Sequence, residues 1–242
     1  MDHIADPLHR LLALDTRGDS LVGRIAEWVG RGIIEGRLRP GDDLNSAELA
    51  RQFQTSRTPV REALMLLEKE GMVDIPPRRR PRVAPLDLAT IREIYQVRAM
   101  LQAHCAAIVC DRGNEEDLSE IRARLTELLE ATERNDLDAT FWANVAFSHC
   151  IVDLSGHHTA ARVLDSLGLR VLQMRHLSMS LPDRMSQSAS DHVRLVRAFE
   201  ERDSVLAGAL TRSLIQGALL ALERALEDKE STDTPAFGVE RQ

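Results

Sequence analysis

The feature that most constrains the fold is the lack of any strand pattern from Asp87 onward. Apolar residues in this part of the chain recur at intervals of three and four, which is the spacing of one helix face, and they do not alternate as in a strand. The spacing predicts six helices, at roughly 88–111, 115–134, 137–154, 159–179, 187–201 and 203–227. Six such helices can form an antiparallel bundle, and helical proteins build their ligand sites inside bundles.

The residue types that fill the core agree with a mainly α-helical protein. The 242 residues include only two Trp, one Tyr and five Phe, so Ala, Leu and Val must fill the interior, and a β-sandwich is unlikely to form from such a chain. Cys105, Cys110 and Cys150 lie within apolar helical patterns and form neither a metal-binding pair nor a disulfide ladder. We therefore predict buried thiols in a reducing compartment, and a cytoplasmic protein that does not enter a membrane.

Before Asp87 the pattern is different and contains two helices joined by a short turn. The first of these begins at Asn45, and the second follows Ser56. The second helix buries one apolar stripe and exposes Arg57, Thr58 and Arg61 near its start. This arrangement is typical of a helix-turn-helix, whose second helix enters the major groove of DNA.

A basic hairpin follows this pair of helices. Short strands are predicted at 72–75 and 83–86, and residues 76–82 between them form a segment that we call the wing. The wing carries four arginines, Arg78, Arg79, Arg80 and Arg82. By itself such a run is most often a solvated loop, but beside a helix-turn-helix it predicts contact with phosphates or a minor groove.

The net charge of -7 argues against a nucleic-acid partner, but the charge is unevenly distributed. Residues 1–84 contain 14 basic and 13 acidic side chains, whereas residues 85–242 contain 17 basic and 25 acidic side chains. Within 20–84 the balance is 12 basic to 9 acidic. The sequence therefore combines a mildly basic N-terminal unit with an acidic helical one.

Several segments in one register resemble a known family. These segments are 35–41 (EGRLRPG), 56–64 (SRTPVREAL) and 67–71 (LEKEG). Together they resemble the winged helix of GntR-family bacterial transcription regulators over about residues 20–85. The continuation through 91–98 (IREIYQVR) resembles the FadR-type branch, which carries an all-helical, ligand-sensing FCD domain. Most family members have a glycine at the wing tip, where this chain has Arg80 and Pro81.

The resemblance implies a fold, a set of domains and a DNA-contacting surface. The fold is mainly α, with an N-terminal winged helix-turn-helix followed by an all-α antiparallel bundle. The predicted domains are a flexible arm at 1–19, a DNA-binding domain at 20–86, an effector-binding and dimerisation domain at 87–228, and a disordered tail at 229–242. The residues expected to contact double-stranded DNA are Ser56, Arg57, Thr58 and Arg61 of the recognition helix together with the four wing arginines.

Five polar residues interrupt the apolar stripes of the helical domain. Arg98 and Gln102 share the inner face of its first helix, Asn144 and Ser148 lie one turn apart on the third, and His192 lies on the fifth. A buried guanidinium without a partner is costly, so an anionic ligand or an internal network to Asn144, Gln102 or a helix carbonyl must satisfy Arg98. Both explanations remain open, but five such residues predict one shared polar cavity.

The resemblance also implies a metal site, which the sequence does not support. Many FCD domains hold a metal through four positions that correspond to Asn144, Ser148, His192 and Leu214. Only His192 is an imidazole, and zinc normally requires three good protein ligands. We therefore predict no metal and no other cofactor, and a cavity that binds a small carboxylate or acyl effector through Arg98.

Three functions compete at this point. The leading hypothesis is a ligand-responsive transcription regulator that binds a palindromic operator as a homodimer. A metal-dependent hydrolase that uses His149 and His192 is an alternative, although we find no catalytic motif of that kind. The third possibility is a protein-interaction adaptor whose winged helix does not bind DNA.

Overall fold

The computed structural model describes residues 20–85 and 87–232, with side chains through residue 225. The predicted arm at 1–19 lies outside the described residues. The N-terminal unit consists of three helices followed by a two-stranded antiparallel ribbon: α1 (Leu21–Ile34), α2 (Ser46–Gln52), α3 (Arg57–Lys69), β1 (Val73–Asp74) and β2 (Arg82–Val83). Val73 lies opposite Val83 in the ribbon. The predicted winged helix-turn-helix is therefore confirmed.

The helices of this unit pack through their apolar stripes. Ile25, Val29 and Ile33 of α1 are fully buried in one cluster with Val60 and Leu64 of α3. Burying each of these side chains stabilises the unit by roughly 1.5–3 kcal/mol. The apolar face of α3 is thus used for packing, and its other face is left to the solvent.

The wing turns at Arg78 rather than at the predicted tip. Arg78 has φ +61°, and the Arg79 amide donates to the Pro76 carbonyl at 3.2 Å. A turn with proline at its second position and positive φ at its third is of type II, in which glycine usually holds the third position. The chain therefore makes a wing without the family's glycine, with an arginine in the left-handed conformation.

Seven helices make up the rest of the described chain: α4 (Leu88–Arg112), α5 (Glu115–Glu133), α6 (Leu137–Leu154), α7 (His158–Ser166), α8 (Arg170–Met179), α9 (Arg184–Glu200) and α10 (Ser204–Thr232). α10 packs along α4, and α5 packs along α6. The all-helical C-terminal domain is thus confirmed. Helix α10 reaches Thr232, so residues 229–232 of the predicted disordered tail are helical, and residues 233–242 lie outside the described part.

The helix predicted over 159–179 is two helices. Gly168 has φ +73°, a conformation that L side chains rarely adopt, and the chain turns there between α7 and α8. A Cβ atom at this position would also lie 3.1 Å from Glu70 Oε2 of the N-terminal unit. The break lets α8 enter the middle of the bundle, where most of its residues are buried.

The two units share one hydrophobic core. Phe141 and Val145 of α6 and Leu169 and Leu172 near the start of α8 belong to the same buried cluster as the helices of the winged helix. The winged helix is therefore packed directly on two helices of the C-terminal bundle. A displacement of α6 or α8 must change the packing of both units, because close-packed cores transmit strain.

Candidate functional site

The five polar residues predicted to face the bundle interior line one cavity of about 60 Å³. Helices α4, α6 and α9 supply them: Arg98, Gln102, Asn144, Ser148 and His192. A single water needs roughly 10–15 Å³, so the cavity has room for several waters or for a small organic compound. Its apolar wall includes Phe147, Ile151, Leu195 and Ile215.

Two further arginines line the cavity and were missed by sequence reasoning. Arg175 comes from α8 and Arg184 from the first turn of α9, and their exposed fractions are 9% and 8%. Arg98 is 4% exposed, and its guanidinium lies over the Tyr95 ring at 5.0 Å from the ring centroid. The cavity wall therefore holds three buried guanidinium groups rather than one.

Arg175 is held in place by α6. Its Nη2 atom donates to Asn144 Oδ1 at 2.5 Å, to Ser148 Oγ at 3.1 Å and to the Asn144 carbonyl at 3.2 Å. The internal network that the sequence offered as a partner for Arg98 is thus built around Arg175. Asn144 and Ser148, one turn apart, position this second arginine at the cavity wall.

In the described wall of the main cavity, the three arginines have no acidic side chain beside them. Among the described lining residues none is acidic, and none of the ion pairs in the described part of the chain involves Arg98, Arg175 or Arg184. Burial lowers the pKa of each of the three guanidinium groups, and burial together with the charge of Arg98 lowers the pKa of Arg175 to about 9. A pKa of about 9 keeps Arg175 cationic at neutral pH.

A smaller cavity of about 30 Å³ lies on the other side of these arginines. It shares Arg98 and Arg175 with the main cavity and is also lined by His149, Asp153 and Asp165. Burial is the largest influence on the pKa of both arginines.

Two buried polar atoms at the main cavity lack a partner within the described part of the chain. They are Tyr95 Oη and Arg184 Nε, and both can donate a hydrogen bond. Another donor of Arg184 is used locally, since Nη1 donates to Gln187 Oε1 at 2.7 Å. Unsatisfied buried donors are rare in proteins.

His192 is a neutral acceptor in this network. Its Nδ1 lies 2.7 Å from the Ser188 carbonyl, which can only accept, so Nδ1 carries the proton. Its Nε2 therefore accepts from Asn144 Nδ2 at 3.3 Å. Burial, opposed by the Ser188 hydrogen bond and assisted by Arg175, lowers the pKa of His192 to about 4.

The residues at the family's metal positions do not fit a metal ion here. The oxygen of the Asn144 amide accepts from Arg175, and its nitrogen donates towards His192 and Ser188. Leu214 also lines the cavity and has no donor atom. In the part of the chain that the structure describes, no three His, Cys, Asp or Glu side chains come together as a potential metal site.

The predicted DNA-contacting residues are all exposed. Ser56 is the N-cap of α3, but its hydroxyl makes no cap hydrogen bond, and Arg57, Thr58 and Arg61 follow on the solvent side. In the wing, Arg80 pairs with Asp43 at 3.7 Å and Arg82 with Asp74 at 3.9 Å. Within the described residues, the arginines at 57, 61, 78 and 79 form no ion pair and are available to phosphates.

Comparison with known proteins identifies both units. The model of bacterial regulatory proteins of the gntR family matches residues 21–83, and the FCD domain model matches residues 93–217. The HTH-type transcriptional regulator YdhC of Bacillus subtilis (strain 168) is 29% identical over 170 residues, which cover 70% of this chain and 75% of that protein. The HTH-type transcriptional repressor RspR of Escherichia coli (strain K12) is 24% identical over 77% of this chain and 80% of its own length.

A solved structure shows the same fold. The structure of E. coli McbR/YncC superimposes with a TM-score of 0.72 at 22% identity, and the match covers 86% of this chain and 99% of that one. The family and its relatives are transcription regulators, so the hydrolase alternative is not supported. The chain belongs to the GntR family of bacterial transcription regulators and carries an FCD domain, and it is not an enzyme.

Proposed function

We propose that this regulator binds a palindromic operator as a homodimer and releases it when a small organic acid or acyl compound occupies the cavity. One observation carries the proposal: a cavity lined by three buried arginines shares α6 and α8 with the core of the winged helix. Repression is the direction suggested by the name of the E. coli relative RspR. Membership of the FadR-type branch and a cytoplasmic location remain predictions.

The DNA contacts follow from the exposed face of α3. The N-terminus of a helix attracts phosphate, and Arg57 and Arg61 add charge within its first turns. Arginine can also bind the edge of guanine bidentately in the major groove, which is how a recognition helix selects a sequence. We expect the wing arginines to contact backbone phosphates beside it, and such contacts fix orientation rather than sequence.

The last helix supports a dimer. An 18-residue segment within Ser204–Ala225 has a mean hydropathy of 1.6, yet only 22% of that segment is buried within the chain. Val205 and Leu220 are 83% and 52% exposed. By length and composition alone this helix could cross a membrane, but it packs along α4, and we assign its exposed apolar side chains to a second copy of the chain.

Ligand binding would reach the DNA-binding unit through α6 and α8. Asn144 and Ser148 of α6 and Arg175 of α8 line the cavity, while Phe141 of α6 and Leu172 of α8 lie in the core of the winged helix. A ligand that draws Arg175 away from Asn144 must shift these two helices relative to each other. Such a shift would bias the spacing of the two winged helices in the dimer and hence their fit to DNA.

Binding to the protein's own upstream region tests the proposal. A gel-shift titration at several salt concentrations should show selective binding whose affinity falls as salt rises, because phosphate contacts release counterions. Replacing Arg57 and Arg61 by Ala should weaken binding and reduce the logarithmic salt slope by about 2 if both meet phosphates. The matched control Arg134→Ala removes one exposed charge from the C-cap of α5 and should leave binding unchanged.

The competing outcomes are distinct. Selective binding that survives the loss of both arginines would show that Arg57 and Arg61 of α3 do not supply the DNA contacts. A lack of any sequence-selective binding, both upstream of the gene and across the genome, would contradict the proposed function. Sedimentation analysis of Val205→Asp should show a monomer where the unaltered protein is a dimer, and an unchanged dimer would place the interface elsewhere.

A further inference from the structure

Arg175 contacts two of the four positions that correspond to a metal site in many FCD domains. Its Nη2 atom donates hydrogen bonds to the side-chain oxygens of Asn144 and Ser148, the first two positions of that set. It also lies close enough to His192, the third position, to contribute to the electrostatics of that imidazole. A divalent cation entering here would lose the Asn144 oxygen and would meet a fixed positive charge.

The three buried arginines of the cavity also indicate what kind of compound it binds. Arg98, Arg175 and Arg184 are each at least nine-tenths buried, and the described lining residues include no acid to balance them. Removing an ion from water costs several kcal/mol unless it is paired. A compound with a single carboxylate would pair with only one of the three cations that line the cavity.

The buried donors at the cavity wall are of two kinds, those without a hydrogen-bond partner and those bonded to α6. Arg184 Nε and Tyr95 Oη have no partner among the described residues, while Arg175 is tied to α6. Arg98 lies on the Tyr95 ring, and all three arginines lower the pKa of the Tyr95 hydroxyl against the larger opposing effect of its burial. Tyr95 therefore lies among the three cations with a donor directed to no protein atom.

We propose that Arg175 holds, as part of the chain, the place that a metal ion holds in many relatives, and that Arg98, Arg175 and Arg184 bind directly a compound with at least two anionic groups. Guanidinium groups bind carboxylate or phosphate oxygens bidentately, so they need no metal to orient such a ligand. This inference rests on the proposed function in that it identifies the chemical class of the effector at the same cavity.

Metal uptake tests the first half of the proposal. Untagged protein is stripped with EDTA, incubated with zinc and desalted, and zinc is counted by mass spectrometry. The unaltered protein and Ser148→His should both retain little zinc in the cavity, because Arg175 still holds the Asn144 oxygen. Ser148→His combined with Arg175→Met restores a histidine and removes the cation, and it should retain about one zinc per chain.

The zinc results have clear meanings. Zinc bound by the unaltered protein and lost in His192→Gln would overturn the proposal, because the cavity would then be a metal site. A zinc count in Ser148→His equal to that of the double variant would also overturn it, since Arg175 would not be what excludes the metal. Circular dichroism establishes that each variant is folded before its zinc is counted.

Anion binding tests the second half without requiring the natural effector. Tyr95 is the only tyrosine of the chain, so 3-fluorotyrosine gives a single fluorine resonance at the cavity. With EDTA present and at constant ionic strength, succinate and citrate should shift this resonance and raise Tm, whereas butyrate should do neither. Arg175→Met should weaken the binding of succinate or citrate at least about tenfold, and Arg134→Met should not change it.

The remaining outcomes separate this inference from the proposed function. Butyrate binding as tightly as succinate, binding that requires added zinc, or no response to either polycarboxylate would overturn the inference. DNA binding is measured in the same preparations. A protein that binds its operator but fails the anion test retains the proposed function, and one that binds succinate without binding DNA retains the inference alone.

Discussion

Trp142 Nε1 donates a hydrogen bond to Glu35 Oε1 at 3.1 Å, which joins α6 of the sensor to the end of α1 in the winged helix. Arg31 of α1 lies over the Trp142 ring at 4.6 Å from its centroid, so one indole contacts both an acid and a base of the other unit. Asn144, two residues further along α6, lines the cavity. The contact between units and the ligand cavity are therefore less than one helical turn apart.

Replacing Trp142 by Phe should weaken the connection between the two units. The change keeps an aromatic ring beside Phe141 and removes the N–H donor, at a cost of about 1 kcal/mol. Trp28, in the winged helix, then remains as the only tryptophan and reports the unfolding of that unit. In a denaturant titration, its fluorescence transition should occur at lower denaturant than the circular-dichroism transition, which is dominated by the sensor helices. Coincident transitions at the original midpoint would contradict this coupling.

Replacing Arg78 by Gly should stabilise the wing and weaken DNA binding. A non-glycine residue with positive φ costs roughly 1–2 kcal/mol, so the free energy of unfolding should rise by up to about 1 kcal/mol after the greater chain entropy of glycine is subtracted. The loss of one phosphate contact should reduce the salt slope by about 1. The matched change Arg79→Gly removes the same charge at negative φ and should not stabilise the protein. Equal stability effects in the two variants would show that the turn carries no strain.

Much of the site could be predicted because its helices are amphipathic. In α4, α6 and α9 a polar side chain within an apolar stripe must face the interior, and Arg98, Asn144 and His192 all do. Spacing of three or four residues then places Gln102 and Ser148 on the same faces. The winged helix could also be predicted from the sequence, because its turns, helix caps and apolar stripes all agree with one register.

The two missed arginines lie where such patterns carry no information. Helix α8 is buried on nearly all sides, so it has no stripe against which Arg175 stands out. Its separation from α7 at Gly168 also changes the helix phase that a continuous helix would give. Arg184 begins α9 directly after Asp183, which adopts φ +59°, whereas the sequence predicts a start at residue 187. The positions of both arginines at the cavity depend on breaks between helices and on long-range packing, which helix periodicity does not show.

Lowering the pH should destabilise the protein through His192. Its pKa is about 4 in the folded state against about 6.5 when unfolded, so the unfolded chain takes up the proton first. Stability is therefore complete above pH 6.5 and should fall by about 2–3 kcal/mol as the pH drops to 4. Protonated His192 would face Arg175, while Asp191 opposes the shift only weakly.

Two variants isolate this effect from other acid titrations. Denaturant unfolding of His192→Gln at pH 7 and pH 4.5 should show a loss about 2 kcal/mol smaller than that of the unaltered protein. His158→Gln, which removes an exposed histidine, should show the full loss. If both variants lose as much stability as the unaltered protein, His192 is not buried in its neutral form.

Replacing Arg98 by Met should stabilise the ligand-free protein while abolishing its response to anions. Methionine fills a similar volume without a charge to desolvate, and removing a buried ion that has no acidic partner is expected to raise the free energy of unfolding by about 1 kcal/mol or more. Arg134→Met at an exposed position should change it by less than about 0.5 kcal/mol. Unfolding is measured after the protein has been unfolded, dialysed and refolded to remove any bound compound. A site retained only for folding would behave in the opposite way, because loss of a structural arginine destabilises a protein. Greater stability combined with a lost response would therefore identify Arg98 as a residue kept for its ligand.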